Sequence, residues 1–387
     1  MSAEVLSLRA INRALLSRQR LLDRPALPAA GSDEARAAMV VETIEHLVGL
    51  QAQAPFPPYY GLLSRLDGFR PDDLASLITG RAVVRIALMR CTIHLVSARD
   101  CLPLRRLVQP VIERGMRNAY GRQLAGVDAA ALAAAGRALV EAEPMTFSQL
   151  GQALAERWPG HPPRALAQAV RAFVPLVQLP PRAIWGQSGL SRHTSAERWL
   201  DEPAHDAQDA APGLGLAGLG LADLVRRYLG AFGPATLRDV AAWSRLTGLR
   251  AVMEQLRPAL VTFRDEQGAE LFDLPSAPRP GGDVPAPVRL VAEFDNLVLS
   301  HAERSRVINA ENIKQISTVN GVIPGTVLID GFVGGMWRLG RSRDATTLSI
   351  ELFGPIRERD ALEREAERVL AFCSPDASHD IRFGPVT

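Results

Sequence analysis

Segments in which apolar side chains recur every three to four positions alternate, in the first hundred residues, with short runs rich in β-branched residues. Ser32 or Asp33 supplies an N-cap signal between two helical segments. The pattern predicts these elements: helices over 7–20, 35–50 and 71–78, and a β-hairpin of strands over 82–88 and 92–96. Three helices closed by a hairpin is the order of elements in a winged helix.

The same order of elements returns twice. Residues 144–151 and 234–241 share the pattern Pro-x-Thr-apolar-x-polar-apolar-small, in which Thr146 and Thr236 can each cap a short helix. Further segments follow or connect these: second helices over 164–173 and 249–256, apolar strand-like runs over 174–184 and 260–274, and long joining helices over 100–120 and 221–232. The sequence therefore predicts three tandem winged-helix units on a helical scaffold.

The last hundred residues have a different character. A stretch dense in proline and glycine precedes them, and a second low-complexity stretch at 210–222 is expected to be a loop. The predicted elements are strands over 288–291, 327–332, 336–339 and 347–352, a charged helix over 358–372 and a last strand near Ile381. We thus expect an α+β protein divided as follows: 1–99, first winged helix; 100–192, helical linker and second winged helix; 193–275, third winged helix; 276–287, linker; 288–387, β-rich unit with a terminal helix.

Composition narrows the class of protein. With 47% hydrophobic and 22% charged residues, the 387-residue chain matches soluble globular proteins of several packed units. We expect a cytoplasmic protein, because the chain shows no secretion signal and no apolar run long enough for a membrane helix. Cys91, Cys101 and Cys373 form no CxxC pair, which argues against disulfides and structural zinc. The net charge of +2 gives little sign of a nucleic-acid binder.

Familiar catalytic signatures are absent from the sequence: it has no P-loop, no HExxH and no G-x-S-x-G. His46 lies four residues from Glu42 on a predicted helix, and His94 lies inside a predicted strand. Scattered histidines of this kind are more often structural than metal ligands. The sequence therefore predicts neither a metal nor a cofactor.

Two glutamines, Gln51 and Gln53, stand at the start of a proline-rich segment. Pro55 disfavours helix at Ala54, and the prolines after it are expected to prolong an extended path, so the second helix should end near these glutamines. Residues i and i+2 of an extended chain point to the same side, which would let both carboxamides converge on one object. The alternative is a pair of solvated glutamines in an ordinary polar loop.

The segment LQAQAPFPPYYGLLSRL closely resembles the Q-apolar-Q segment of the AlkZ-like DNA glycosylases, with Gln51 and Gln53 at its two glutamines. The sister AlkX branch carries Asp at the second position, so Gln53 favours the AlkZ side. Further similarity lies in these segments: LMRCTIHLVSARD (88–100), AFGPATLRDVAAWS (231–244), EFDNLVLSHAERSRV (293–307) and DGFVGGMWRL (330–339). The resemblance spans nearly the whole chain in matching order.

What the resemblance implies is a C-shaped protein of three winged helices whose concave face holds double-stranded DNA. The implied activity is excision of N7-alkylguanine, including bulky adducts and interstrand crosslinks, in DNA repair or in self-resistance to a DNA-damaging natural product. We expect Gln51 and Gln53 to orient the attacking water. Three modules in one chain can hold DNA as a monomer.

Other polar residues are candidates for DNA contact. They fall in the C-terminal unit and beside the glutamines: His301, Arg304, Arg306, Asn312, Lys314, Gln315 and Tyr59. The run from Asn312 to Asn320-Gly321 suggests a polar hairpin or loop that could enter a groove. A solvated turn would show the same polarity, and Tyr59 or Tyr60 could equally pack against the first unit.

Two other functions fit the predicted fold. A transcriptional regulator would use winged helices without catalysis, but regulators normally dimerise to match a two-fold operator and have no use for a glutamine pair. Winged helices acting as protein-interaction modules would instead predict a large apolar surface patch and no salt-sensitive DNA affinity.

Overall fold

The computed structural model describes residues 4–29, 31–202, 219–316, 323–342, 345–355 and 358–385. Most of the predicted loop at 210–222 and the predicted turn Asn320-Gly321 lie outside these ranges. The described chain mixes helices and strands, as the sequence predicts.

The N-terminal part holds the first predicted hairpin. Its elements are β1 (Val5–Leu6), α1 (Leu8–Arg18), α2 (Asp33–His46), β2 (Leu50–Gln51), α3 (Pro57–Leu63), α4 (Pro71–Thr79), β3 (Val83–Ala87) and β4 (Ile93–Ser97). The next part holds α5 (Ala98–Tyr120), α6 (Ala129–Ala142), α7 (Phe147–Arg157), α8 (Pro163–Phe173), β5 (Leu176–Gln178), β6 (His193–Ser195) and α9 (Ala196–Leu200).

The third part repeats the order of helices followed by a hairpin. Its elements are α10 (Leu221–Phe232), α11 (Leu237–Ser244), α12 (Leu249–Leu256), β7 (Val261–Asp265) and β8 (Glu270–Asp273). The C-terminal part consists of β9 (Arg289–Val291), α13 (Asn296–Leu299), α14 (Ala310–Ile316), β10 (Gly325–Ile329), β11 (Phe332–Arg341), β12 (Ala345–Leu352), α15 (Arg359–Cys373) and β13 (Ser378–Pro385).

Three sheets organise these elements. One has the order β2-β4-β3-β5-β6, so strands of the first and second parts share a single sheet. Another has the order β1-β7-β8, in which the N-terminal strand pairs parallel with the third part's hairpin. The C-terminal sheet has the order β13-β12-β11-β10-β9 and is antiparallel except between β12 and β13.

The two predicted threonine caps are confirmed. Thr146 Oγ1 accepts from Gln149 N at 3.3 Å while the Gln149 side chain accepts from Thr146 N at 3.0 Å. Thr236 and Asp239 make the same reciprocal pair at 3.1 Å and 2.9 Å. Each pair satisfies backbone donors that the first turn of a helix leaves open, which explains why the sequence signal identified both helix starts.

Three predictions about elements were wrong. α2 ends at His46 rather than near Gln51, and the proline-rich segment does not stay extended, because Pro57 and Pro58 occupy the first positions of α3. Proline suits that position, since its missing N–H would be unpaired there anyway. The predicted strand over 327–332 is instead a hairpin, with β10 and β11 joined at Asp330 and Gly331.

Helix α6 had no prediction, because its alanine-rich sequence carries a weak amphipathic pattern. Among the described residues no single helix is long and apolar enough to cross a membrane, although the pair Ala98–Leu124 and Ala129–Ala142, bent by 101°, passes the length and composition test together.

The predicted linker at 276–287 contains no helix or strand, yet it is tied to α1. Arg9 Nε donates to Gly282 O at 3.0 Å, Arg13 Nε to Val284 O at 2.5 Å and Arg18 Nη2 to Pro278 O at 3.1 Å. Because each arginine offers several donors in a planar fork, one helix face can hold an irregular segment whose carbonyls lack partners of their own.

A single hydrophobic core joins the N-terminal, third and C-terminal parts, while α6, α7 and α8 enclose a separate core. Buried arginine–carboxylate pairs cross the larger core. Arg65 donates to both oxygens of Asp295 at 2.8 Å, and Arg18 donates to those of Asp273 at 2.7 Å and 2.8 Å. The arginine preference of this chain therefore has a structural use inside the fold.

Candidate active site

Gln51 ends strand β2, which adds to the first sheet, whereas Gln53 lies two residues further on in the bend that leads to α3, so the predicted extended path stops between the two glutamines. Between α2 and β2 the chain turns sharply at Gly49, whose φ is +88° and whose Cβ, if present, would approach Val96 Cγ1 to 2.7 Å. β2 then pairs with β4 so that Gln51 lies opposite His94, and Ala52 N donates to Ile93 O at 2.7 Å. Only glycine fits this turn, and the strand pairing sets the register of both glutamines.

Each glutamine has its carboxamide oxygen held by a fixed donor. Gln51 Oε1 accepts from Arg90 Nη2 at 2.7 Å, and Gln53 Oε1 accepts from Ile93 N at 3.1 Å. Gln51 is buried and Gln53 is exposed. Each oxygen keeps a second lone pair, and neither Nε2 group has a hydrogen-bond partner among the described residues.

Arg90, which sequence reasoning did not select, lies in the tight turn between β3 and β4 with φ of 58°. Besides Gln51, it donates to Asn296 Oδ1 at 3.2 Å and to Trp243 O at 3.3 Å. Burial, followed by the charges of Arg245 and Arg304, lowers the pKa of the Arg90 guanidinium to about 10. The group stays charged at neutral pH, so Gln51 faces a permanent cation.

The segment at the start of α13 packs against the chain on both sides of the glutamine segment in sequence, at Gly49 and at Gly61. Asn296 Nδ2 donates to Gly49 O at 3.0 Å, and Gly61 in α3 lies against Ala292 and Asp295. The only sequence sign of this contact was the resemblance carried by residues 293–307.

Two further arginines lie near Arg90, the residue that binds Gln51. Arg245 is exposed and Arg304 half-buried, and both act electrostatically on Arg90. Neither side chain has a hydrogen-bond or ion-pair partner within the described ranges. Unpaired arginines beside a polar site are suited to bind an anion such as phosphate.

An open cavity of about 410 Å³ is lined in part by the residues that follow Gln53 in the sequence. Its wall residues, from the glutamine segment, α3, Glu293 and β11, are Ala54, Pro55, Phe56, Pro57, Tyr60, Glu293, Trp337, Arg338, Leu339 and Arg341. Burial raises the pKa of the Glu293 carboxyl. The wall is mainly apolar and aromatic with a few charged groups, a composition common in ligand pockets of this size.

Three of the residues predicted to touch DNA are buried and make hydrogen bonds within the fold. Tyr59 is fully buried and its hydroxyl donates to Ala183 O at 2.8 Å. His301 is buried with Nε2 at 2.9 Å from Phe232 O, and Arg306 is buried with Nη1 at 2.7 Å from Pro234 O. Their side chains therefore support packing between parts of the chain and offer little surface to a partner.

The remaining candidates lie at or near the surface. Asn312, Lys314 and Gln315 belong to α14, so the polar stretch begins as a helix and not as the predicted hairpin. Asn312 donates to Val333 O at 3.2 Å, whereas Lys314 and Gln315 are exposed. Arg304 is the predicted residue whose charge acts on Arg90, the partner of Gln51.

The two histidines expected to be structural have structural partners. His94 is fully buried with Nδ1 at 3.1 Å from Thr92 O, and burial lowers its pKa to about 3. His46 Nε2 lies 2.7 Å from Arg18 O. Within the described residues no three His, Cys, Asp or Glu side chains are grouped so as to hold a metal ion.

Comparison with known proteins gives one family and one fold. The sequence model of the family described as DNA glycosylase AlkZ-like matches residues 44–372. Among solved structures, the Streptomyces sahachiroi DNA glycosylase AlkZ has a similar fold, with a TM-score of 0.75 and 18% sequence identity over 98% of this chain and 100% of that one. A sequence comparison with curated proteins gave no match.

Proposed function

The chain belongs to the AlkZ-like family of DNA glycosylases, which confirms the resemblance seen in its sequence, and from this premise we propose that it excises N7-alkylguanine from double-stranded DNA. In this proposal Gln51 and Gln53 orient the water that attacks C1′ of the damaged nucleotide. The observation that carries it is that two carboxamides two residues apart each have their oxygen held by a fixed donor.

Neutral carboxamides suit this reaction because the substrate is already activated. Alkylation at N7 leaves the guanine cationic, so the C1′–N9 bond breaks with both electrons moving to N9 and the base departs neutral. The water oxygen bonds to C1′ and its proton passes to solvent. No side chain has to protonate the leaving group, and the protein's task is to place the water and stabilise an oxocarbenium-like sugar.

The hydrogen bonds around the two glutamines fit such a task. Arg90 and the backbone N–H of Ile93 each use one lone pair of a carboxamide oxygen. The second lone pair can accept from a water, whose own oxygen then faces away from the amide and toward the sugar. Weak general-base power is consistent with action on cationic bases and with no release of undamaged purines.

The proposal includes a mode of DNA binding. The repeated order of helices followed by strands supports three winged-helix units, arranged as a C with duplex DNA in its concave face and acting as a monomer. Arg304 and Arg245, whose charges act on Arg90, would contact phosphates, and Lys314, Gln315 and Asn312 on α14 are second candidates.

The cavity lined by the segment that follows Gln53 supports activity on bulky adducts. Its apolar and aromatic wall offers a place for a substituent at guanine N7 while the base stays in the stack. A general repair role and self-resistance to a natural-product alkylator, including repair of interstrand crosslinks, both fit this substrate class.

The test is release of free base from alkylated duplex DNA. Wild type should release N7-methylguanine and N7-benzylguanine but no unmodified purine. Leu339→Trp, which narrows the cavity, should lower excision of the benzyl adduct about tenfold or more relative to the methyl adduct, since apolar pockets discriminate by this amount. Equal loss on both substrates would show that the cavity does not take the substituent. Release of neither base, together with tight binding to undamaged DNA, would favour a regulator.

Removing Arg304 or Arg245 should weaken DNA binding in a salt-dependent way. Arg304→Gln and Arg245→Gln should each reduce the slope of log K against log salt by about 0.9, the value for one phosphate contact. Arg382→Gln, in β13 and paired with Asp380 at 2.7 Å, is the matched control and should keep the wild-type slope. Slopes unchanged in the first two variants would place the DNA elsewhere.

A further inference from the structure

We infer that Arg90 is a positioning residue for base excision, because its guanidinium holds the carboxamide of Gln51 in the one orientation that the reaction uses. The inference rests on the proposed function, since it requires Gln51 to act on the reacting water. Arg90 itself would not touch the substrate.

The contacts of Arg90 define its geometry. Nη2 donates to Gln51 Oε1 at 2.7 Å and to Asn296 Oδ1 at 3.2 Å, while Nη1 donates to Trp243 O at 3.3 Å. These acceptors come from β2, α13 and α11, so three parts of the chain fix one planar group. A charged donor also makes a shorter and stronger hydrogen bond than a neutral one.

This arrangement selects between the two orientations of the Gln51 carboxamide. If the amide were reversed, Nε2 would face the guanidinium, and two donors would meet with no acceptor between them. The oxygen therefore stays on Arg90 and the position of its remaining lone pair is set. For Gln53 the backbone N–H of Ile93 has the same effect.

The backbone of the turn indicates that the position of Arg90 is imposed by its contacts. Arg90 and Cys91 both have left-handed conformations, with φ of 58° and 61°, which residues other than glycine seldom adopt. Such a conformation persists only where the surrounding structure requires it. Lysine at this position would keep the charge, but a single ammonium cannot reproduce the planar fork that reaches all three acceptors.

Four proteins test the inference: wild type, Arg90→Lys, Gln51→Ala and the double variant. Single-turnover excision of N7-methylguanine with enzyme in excess gives the rate of the chemical step, and titration of an undamaged duplex gives Kd. Arg90→Lys should slow excision roughly ten- to a hundredfold, as expected for a misplaced catalytic group, with little change in Kd. In the Gln51→Ala background it should have no further effect, because the group it positions is gone.

Arg105→Lys is the matched control. Arg105 is buried, and burial lowers its pKa to about 10, as it does for Arg90. It donates to Ala172 O at 2.7 Å and to the side chain of Gln109, and it touches neither Gln51 nor Gln53. This variant should lose stability and keep the wild-type excision rate. It separates the general effect of altering a buried arginine from the effect on the site.

Rate losses that multiply in the double variant, or full activity in Arg90→Lys, would overturn the positioning role and leave the glycosylase standing. Absence of excision by wild type, or full activity in Gln51→Ala, would remove the proposed function and this inference together. If Arg90→Lys does not fold, Asn296→Ala removes one of the acceptors that hold Arg90, and the same lack of additivity with Gln51→Ala is expected.

Discussion

Gln51→Ala and Gln53→Ala should each reduce excision of N7-methylguanine by about 10²- to 10³-fold, the usual effect of removing one group that stabilises a transition state. DNA affinity should change little, because the carboxamides are proposed to contact the water and the reacting sugar rather than the phosphates. Single-turnover rates and Kd measured on the same protein preparations separate the two effects.

The two variants should differ in stability. Gln51→Ala takes an acceptor from the charged and partly buried Arg90, whereas Gln53→Ala takes one from a backbone N–H beside an exposed side chain. We therefore expect thermal unfolding to shift more for Gln51→Ala. Gln152→Ala, an exposed glutamine in α7, is the matched control and should leave rate, Kd and unfolding unchanged. Wild-type excision by both site variants would exclude the pair from catalysis.

Asp295→Ala should lower the free energy of unfolding by about 3–5 kcal/mol, the range for breaking a buried ion pair by removing one partner. Asp295 accepts both guanidinium donors of Arg65 at 2.8 Å and the backbone N–H of Leu297 at 2.9 Å, and the pair is almost completely buried. The substitution leaves the Arg65 charge inside the core without a counterion. Urea unfolding gives the difference from the shift in midpoint.

The same variant should also slow excision, because Asp295 caps the helix that begins with Asn296, and Asn296 contacts Gly49 and Arg90. Asp380→Ala, which removes an exposed partner of Arg382, is the control and should have only a small effect on stability. If the urea unfolding midpoint of Asp295→Ala were close to that of wild type, the Arg65 guanidinium would have to be stabilised by another acceptor or by hydration.

The arginine content of the chain does not by itself indicate whether its arginines bind DNA. Residues 1–126 carry 17 arginines against 11 acidic residues, and Lys314 is the only lysine of the chain. An excess of this kind can reflect DNA binding, but Arg18 and Arg65 are buried in ion pairs. Burial and pairing are long-range properties, so net charge alone could not separate arginines free to bind phosphate from those that hold the fold.

Local chemistry determined what the sequence could predict by itself. The periods of hydrophobic residues and the threonine caps at Thr146 and Thr236 act over a few neighbouring residues, and they indicated most helices and the first hairpin, whereas the break expected at Pro55 placed the end of α2 too late. The resemblance of the Q-apolar-Q segment indicated the family, and the family model that matches residues 44–372 confirmed it.

Tertiary structure decided the rest, because contacts between distant segments leave little trace in local pattern. Only the fold brings Arg90 onto Gln51, 39 residues away, and Asn296 onto Arg90, 206 residues away. His301 and Arg306 are buried only in the tertiary structure, whereas their sequence context predicted polar residues at the surface. Side chains whose partners lie hundreds of residues apart acquire their environment, and with it their available chemistry, when the core closes around them.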